Sequence, residues 1–213
     1  MNLRSKVSGS IVALWLSAAL LPATGFPHIP LPPKEPTEIG RRVVNTSVPD
    51  FKLTDQDGKP FQFASARGKV VLVTFVFTTC PDVCPLFTAN FAGIQRSLDE
   101  KKVTDYLLLT ITTDPERDRA AVLKDYAGRF KADLTRWSFL TGTRAELSKV
   151  WKAFGVNVTK TDSGQVQHTS LTTLVDRQSK RRVDYYGDKW QEKEILKDIQ
   201  WLRSQKPRNG VLE

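Results

Sequence analysis

The sequence predicts one α/β domain, in which helices flank a central mixed sheet and a β-hairpin precedes it. Two nearly continuous apolar runs, residues 69–77 and 106–112, are rich in β-branched side chains, as in strands buried on both faces. Segments with apolar residues at helical spacing follow each run, and strands that alternate with helices predict such a sheet. A length of 213 residues suits one packed domain and a tail.

The first elements follow from local patterns. Residues 51–53 and 61–63 alternate apolar and polar side chains around the turn residues 55–58, which predicts the hairpin. Residues 69–77 form the first buried strand and residues 106–112 the second. Between them a helix is predicted from apolar residues at helical spacing, namely Cys84, Phe87, Phe91, Ile94 and Leu98.

The later elements alternate in the same way. Thr143 with Glu146 makes a capping box that opens a third helix, and Gly155 ends it. Three more strands are predicted at residues 137–140, 171–176 and 182–186. The apolar positions of the second, third and closing helices are Val122, Leu123, Tyr126, Ala127 and Phe130, then Leu147, Val150, Trp151 and Phe154, then Ile195, Leu196, Ile199 and Leu202.

Composition excludes several classes of protein. Hydrophobic residues make up 40% and charged residues 26%, which excludes a disordered chain, a fibrous repeat and a polytopic membrane protein. The net charge is +9, but the basic residues are scattered among acids. This balance selects no partner class by itself, and no nucleic-acid partner is expected.

The amino-terminal segment, residues 1–25, is predicted to be a signal peptide. Arg4 and Lys6 precede an apolar run at residues 11–21, which is short for a spanning helix because that needs about 20 apolar residues. An uncleaved membrane anchor is the alternative. The domain is therefore expected to be exported to the bacterial periplasm, either soluble or tethered to the inner membrane. The remaining boundaries are a proline-rich linker at 26–42, the domain at 43–206 and a tail at 207–213.

The two cysteines are the most informative residues. Cys80 and Cys84 lie in residues 78–85, after the first buried strand, where open α/β sheets usually place ligand sites. Pro85 suits the first turn of a helix, so Cys84 is expected at a helix amino terminus, where the helix dipole favours thiolate over thiol. The alternatives are a structural disulfide and two buried thiols. A disulfide that closes so small a loop constrains the chain little.

His168 decides between the two kinds of chemistry that a thiol pair offers, metal binding and redox exchange. Two cysteines and one histidine suit Cu(I) and can also hold Cu(II), whereas a structural zinc site requires a fourth strong ligand. The alternative is an imidazole without a ligand role. Asp82 is either a helix-entry acid or a residue that tunes the pKa of the cysteines or contacts the metal transiently. Asp114 and Asp118 are interpreted mainly as caps of the second helix, and the basic residues 180–182 mainly as a solvated turn.

Several motifs resemble the Sco/SenC copper proteins, from about residue 48 to residue 202. The most specific is CPDVCP at 80–85. The others are LTDQDGKP at 53–60, RGKVV at 67–71, DPERD at 114–118 and His168-Thr169 before an apolar strand. The resemblance implies a thioredoxin-like fold and copper bound by Cys80, Cys84 and His168. It also implies delivery of copper to the binuclear copper site of cytochrome c oxidase, or reduction of the thiols of that site.

Two classes of function remain open. The first is a metallochaperone, which is not an enzyme and whose partners are the copper-site subunit of the oxidase and another copper chaperone or a thiol reductant. The second is a periplasmic thiol-disulfide oxidoreductase that uses the same cysteine pair. The spacer of three residues between the cysteines favours the first, because familiar dithiol oxidoreductases have two.

Overall fold

A central mixed sheet organises the protein in the computed structural model, which describes residues 40–162 and 164–205. Its six strands lie in the order β1-β10-β9-β4-β5-β6. Strands β4, β5 and β6 are parallel to one another. The pairs β4–β9, β9–β10 and β10–β1 are antiparallel. The strands of this sheet are β1 (Arg41–Ser47), β4 (Val70–Val76), β5 (Tyr106–Thr112), β6 (Trp137–Leu140), β9 (Leu171–Val175) and β10 (Lys180–Tyr186).

Two small antiparallel pairs lie outside this sheet. They are β2 (Lys52–Thr54) with β3 (Pro60–Gln62), and β7 (Val158–Lys160) with β8 (Val166–His168). The helices are α1 (Cys84–Glu100), α2 (Ala120–Arg129), α3 (Arg144–Phe154) and α4 (Glu192–Ser204), and a short 3-10 helix covers Phe63–Ala66. The predicted hairpin, buried strands and helices are therefore confirmed.

Strands β4 and β5 form the centre of the molecule. Every residue of both strands is buried, because helices or loops cover both faces of the sheet. They pair in parallel register, with Val76 opposite Thr112. Both strands therefore end at the same edge of the sheet, and the segments that follow them start side by side.

Alternation along the strands divides the core in two. Val70 and Leu72 of β4 face one cluster, which contains most of the buried apolar residues of α1, α2 and α4. Val71, Val73 and Phe75 face the other, which contains those of α3 and the β2–β3 hairpin. The result is the α/β sandwich that the sequence predicts, with helices on both faces of a mixed sheet.

Some details differ from the predictions. Arg181 is buried and belongs to β10 rather than to a solvated turn, because it pairs with Asp184. Val122 was assigned to the buried face of α2, but its side chain is 40% exposed. Strand β1 and the β7–β8 pair were not predicted. β1 begins at Arg41, within the residues assigned to the linker.

The predicted targeting segment at 1–25, most of the linker and the tail at 207–213 lie outside the described residues. Within the residues that the structure describes, no helix is both long enough and apolar enough to cross a membrane.

Candidate metal centre

The cysteines lie where β4 gives way to α1. The backbone turns after Phe77, and the amide of Cys80 donates a hydrogen bond to the carbonyl oxygen of Phe77 at 3.2 Å. Helix α1 then begins at Cys84 with Pro85 in its first turn, as predicted. Both cysteines are free thiols; Cys80 is partly exposed, whereas Cys84 is fully buried. The pair therefore offers one accessible sulfur and one enclosed sulfur.

The two thiols contact each other, and this contact changes their chemistry. Burial raises the pKa of the Cys84 thiol strongly, and a hydrogen bond with Cys80 raises it further. A backbone hydrogen bond at Phe77 acts in the opposite direction but is weaker. The metal-free protein therefore disfavours the Cys84 thiolate that was predicted from the helix terminus, because burial raises the pKa of this thiol.

His168 ends β8, on the hairpin that α3 leads into. Its ring packs edge-to-face on Phe77, with the ring centroids 5.9 Å apart. Nδ1 lies 3.0 Å from the carbonyl oxygen of Thr169, which can only accept, so Nδ1 carries the proton. Burial lowers the pKa of His168, which favours the neutral ring at pH 7. Nε2 is thus left with a free lone pair, the arrangement found in metal-ligating histidines.

Phe77 contacts both halves of the candidate site. It belongs to a small apolar cluster with Val76, Cys84 and Val166, and Cys80 packs against this cluster. The structure thus brings the thiols together, next to the phenylalanine on which the His168 ring packs. No three His, Cys, Asp or Glu side chains are grouped closely enough to hold a metal ion anywhere in residues 40–162 and 164–205.

Asp118 is a site residue that the sequence analysis misassigned. It does not cap α2, whose N-cap is Arg119 without a side-chain hydrogen bond. Its buried carboxylate instead accepts hydrogen bonds from the Thr78 amide at 3.1 Å, the Thr78 hydroxyl at 2.5 Å and the Thr112 hydroxyl at 2.6 Å. Burial raises the pKa of Asp118, and these hydrogen bonds only partly offset it.

Asp114 does not cap α2 either. Its fully buried carboxylate pairs with Arg117 at 2.8 Å and with Lys160 at 3.2 Å. Asp82, between the two cysteines, is exposed to solvent at the entry of α1. The signal that could have identified the two buried aspartates was their position after a strand parallel to β4, because such segments emerge next to the cysteine loop.

An open cleft of about 520 Å³ leads from solvent to the apolar cluster. The cysteine loop contributes Thr79 and Pro81 to one wall, and the β7–β8 turn contributes Gly164 and Gln165 to the other. Phe77 forms part of its floor. The cleft therefore opens between the cysteine loop and the β7–β8 hairpin, the two segments that carry the candidate ligands.

The fold and the thiol pair define the class of protein. It is a thioredoxin-like α/β protein with two thiols, spaced Cys-x3-Cys, at the end of a central strand. The SCO1/SenC family model matches residues 41–204, so the chain belongs to the SCO1/SenC family. The family and the fold that the motifs predict are both confirmed.

Relatives of known sequence or structure agree with this assignment. The SCO1 protein homolog of Bacillus subtilis is 33% identical over 147 residues, which cover 68% of this chain and 76% of that protein. BsSco, a Sco-family cytochrome c oxidase assembly protein with a disulfide switch, is 31% identical with a TM-score of 0.68, covering 78% of this chain and 98% of the solved chain. Copper-bound ScoI of Bradyrhizobium japonicum is 32% identical with a TM-score of 0.64, covering 74% and 99%.

Proposed function

We propose that this protein carries copper, and that Cys80, Cys84 and His168 bind one ion as Cu(I) or Cu(II). The observation that carries the proposal is the contact between two free thiols beside a phenylalanine that also packs on His168. Two sulfur donors and one imidazole suit Cu(I) and can hold Cu(II). The copper bound to ScoI of Bradyrhizobium japonicum supports this choice of metal.

Each proposed ligand has a distinct part in loading the ion. Cys80 is partly exposed whereas Cys84 is buried, so Cys80 is the first sulfur that an arriving ion meets. Cys84 is buried with a raised pKa, so its binding to the ion releases a proton. His168 holds its Nδ1 proton on Thr169 and thereby presents Nε2 as the third donor.

The destination that we propose is the binuclear copper site of cytochrome c oxidase, to which the protein delivers copper or whose thiols it reduces. The assignment of BsSco to the cytochrome c oxidase assembly proteins supports it. The partners are then the copper-site subunit of the oxidase, and another copper chaperone or a thiol reductant that restores the dithiol. The protein acts as a metallochaperone rather than as an enzyme.

We also propose export to the periplasm, through residues 1–25 as a signal peptide or as an anchor to the inner membrane. The apolar run at residues 11–21 supports this location. Cell fractionation with an antibody against the domain tests it. We expect the protein in the periplasmic or inner-membrane fraction, and recovery in the cytoplasm would contradict the proposal.

A thiol-disulfide oxidoreductase is the second candidate, because one cysteine is exposed and the other enclosed. The exposed Cys80, as thiolate, would attack a client disulfide to form a mixed disulfide and release one client thiolate. Cys84, as thiolate, would then attack the Cys80 sulfur of the mixed disulfide and release the second client thiolate, so that the client gains two electrons and the pair becomes a disulfide. His168 has no part in this exchange.

Copper titration of the reduced protein separates the two functions. We expect one Cu(I) per chain, with two sulfur ligands and one nitrogen ligand in X-ray absorption. His168→Ala should weaken Cu(II) binding strongly and Cu(I) binding less, because two thiolates alone can hold Cu(I). The matched control is His28→Ala, since His28 is the one other histidine of the chain.

Different results of these measurements support the copper site and the oxidoreductase. A His168→Ala protein with the Cu(II) affinity of His28→Ala and normal oxidase assembly contradicts the copper site. Cys80→Ser and Cys84→Ser should each reduce both copper binding and thiol exchange. Loss of thiol exchange in these variants, with no copper binding by the wild type, would instead support the oxidoreductase.

A further inference from the structure

Two fully buried carboxylates lie in the loop that joins β5 to α2, which we call the connecting loop (residues 113–119). A buried carboxylate requires hydrogen bonds or opposite charge, because burial without them is strongly unfavourable. Asp114 and Asp118 find their partners in different segments of the protein. Those segments are the two that carry the candidate ligands.

Asp118 holds the cysteine side. It accepts hydrogen bonds from both the amide and the hydroxyl of Thr78, which lies two residues before Cys80. The Asp118 carboxylate also accepts a hydrogen bond from the hydroxyl of Thr112 at the end of β5. This bond fixes the position of Asp118 relative to the sheet. Three hydrogen bonds to one carboxylate therefore fix where the cysteine loop leaves β4.

Asp114 holds the histidine side through two cations. Lys160, in β7, places its ammonium 3.2 Å from Asp114 Oδ1. Arg117 donates to Asp114 Oδ2 at 2.8 Å and to the carbonyl oxygen of Gly164 at 3.2 Å. Lys160 also pairs with Glu116. The hairpin that ends in His168 is thus held at its first strand and at its turn.

Backbone pairing does not fix the position of this hairpin relative to the cysteines. β7 and β8 form a two-stranded sheet of their own, separate from the central sheet that ends in the cysteine loop. At the apolar cluster the two halves meet through side chains: Val166 of β8 packs with Phe77 and Cys84, and the His168 ring packs on Phe77. The side-chain contacts of the connecting loop are therefore the polar link between the halves in the described part of the chain.

We propose that the connecting loop is a frame that holds the cysteine loop and the histidine hairpin at a fixed separation, with Asp114, Arg117, Asp118 and Lys160 as positioning residues. The expected effect on copper binding rests on the proposed copper site. The effect of these residues on the stability of the hairpin can be measured without copper. Residues behind the ligands typically change metal affinity 10- to 100-fold when they are replaced, because they orient the ligands.

The histidine side is tested with Arg117→Gln and Lys160→Met, singly and combined. The combined variant should lower Cu(II) affinity by about 10- to 100-fold and shift the Cu(II)–thiolate absorption band. Cu(I) affinity and the rate of thiol exchange should change little, because both thiols remain in place. Lys160→Arg keeps the positive charge, so this variant should retain the Cu(II)–thiolate absorption band of the wild type. The matched controls are Arg119→Gln, exposed in the same loop, and Lys124→Met, whose pair with Asp57 lies on the surface.

The cysteine side is tested with Thr78→Val and Thr112→Val, which each remove one hydroxyl donor to Asp118 with little change of shape. These variants should weaken Cu(I) and Cu(II) binding together and change the thiol exchange rate, because the start of the cysteine loop shifts. Thr172→Val is the control, since it removes a buried hydroxyl bonded to Thr74 inside the sheet. Thermal unfolding confirms that each variant is folded before its binding is compared.

The holding is measured in the reduced, copper-free protein by hydrogen exchange of peptides that cover residues 157–169. Arg117→Gln with Lys160→Met should accelerate exchange there and leave α1 and α4 at the rate of the controls. Folded variants whose hairpin exchange equals that of Arg119→Gln overturn the frame. Faster hairpin exchange with an unchanged Cu(II) spectrum overturns the positioning role. Failure of the wild type to use His168 is a separate result, which contradicts the proposed function and not the holding.

Discussion

Arg181 and Asp184 form a buried ion pair on β10, with side chains only 8% and 2% exposed. The guanidinium also donates to the carbonyl oxygen of Phe154 at 2.8 Å, and the carboxylate accepts from the Thr173 hydroxyl at 2.6 Å. Each charge therefore has further partners besides the other charge. Such a pair is close to neutral for stability when it is complete, but removal of one member leaves a buried charge without compensation.

Asp184→Ala should therefore lower the free energy of unfolding by about 3–5 kcal/mol, because Arg181 keeps its charge and its buried position. Urea denaturation at pH 7 measures the change. The control is the double variant Arg181→Met with Asp184→Leu, which removes both charges and should recover most of the loss. If the double variant is as unstable as the single one, packing rather than charge explains the effect.

Single residues also show where sequence analysis reaches its limit. The run at 180–182 has three basic residues, and this composition is typical of a solvated turn. Burial of Arg181 depends on Asp184 and on the end of α3, and sequence pattern alone does not bring these together. Asp118 precedes a helix, as a cap does, yet Thr78 is forty residues away in the chain. The contact of Asp118 with Thr78 follows from the pairing of β4 with β5, so it could not be predicted before that pairing was known.

Helix α3 has the most complete termini of the four described helices. The Thr143 hydroxyl accepts from the Glu146 amide at 3.2 Å, and the Glu146 carboxylate accepts from the Thr143 amide at 2.8 Å. Gly155 ends the helix in the left-handed conformation, with φ of 71°. These hydrogen bonds satisfy backbone groups that a helix end otherwise leaves unpaired. They place α3 so that its buried side chains cover one face of the sheet.

Thr143→Ala should destabilise the protein by about 1 kcal/mol, because the helix loses the oxygen that accepts from its first turn. Ser148→Ala is the matched control: it removes a hydroxyl from an exposed position inside the same helix, where alanine is the better helix former. Chemical denaturation should show a loss for the first variant and no loss for the second. Equal losses would show that the cap contributes nothing.

Elements with a strong apolar pattern were predicted, and elements held by other elements were not. β4 and β5 are continuous buried runs, so their sequences suffice to identify them. β1 is an edge strand whose residues are mostly exposed, and it lacks an apolar alternation because neither of its faces is buried in the core. The β7–β8 strands have three residues each, too few for a period to show.

At the scale of the whole molecule, local sequence predicted the cysteine pair of the candidate site but not the contacts of the residues that lie far from it in the chain. Only three residues separate the cysteines, so local structure alone brings their sulfurs close together. His168 lies more than eighty residues further along, and its contact with Phe77 depends on where the hairpin packs. Family resemblance supplied the histidine, whereas the aspartates that surround the site required the parallel pairing of β4 with β5.

At the opposite edge of the sheet from the cysteines, Asp105 connects three distant segments. It pairs with Arg177, in the turn between β9 and β10, at 2.7 Å and with Arg203, in the last turn of α4, also at 2.7 Å. Partial burial by itself raises the pKa of Asp105, but the hydrogen bonds from the two arginines outweigh it and hold the pKa below its usual value. The carboxylate is therefore stabilised in its charged form by folding.

This lowered pKa predicts how the stability of the whole protein depends on pH. Because the folded pKa lies below the unfolded one, about 3.9, the contribution of Asp105 is fully present above that value and is lost as the pH falls through the folded pKa. Asp105→Asn removes this contribution, so its free energy of unfolding should fall less than that of the wild type between pH 6 and pH 3 (about three pH units, spanning the titration of an ordinary aspartate). Urea denaturation at both pH values measures the difference.

The arginines provide the control for this assignment. Arg177→Gln with Arg203→Gln leaves Asp105 in place but removes the hydrogen bonds that lower its pKa, so this variant should show the same weakened pH dependence as Asp105→Asn. Arg129→Gln, at an exposed position of α2, should retain the wild-type dependence. If the double arginine variant keeps the full loss of stability in acid, the carboxylates responsible lie elsewhere in the protein. A parallel shift of all the curves would show that Asp105 contributes packing rather than charge.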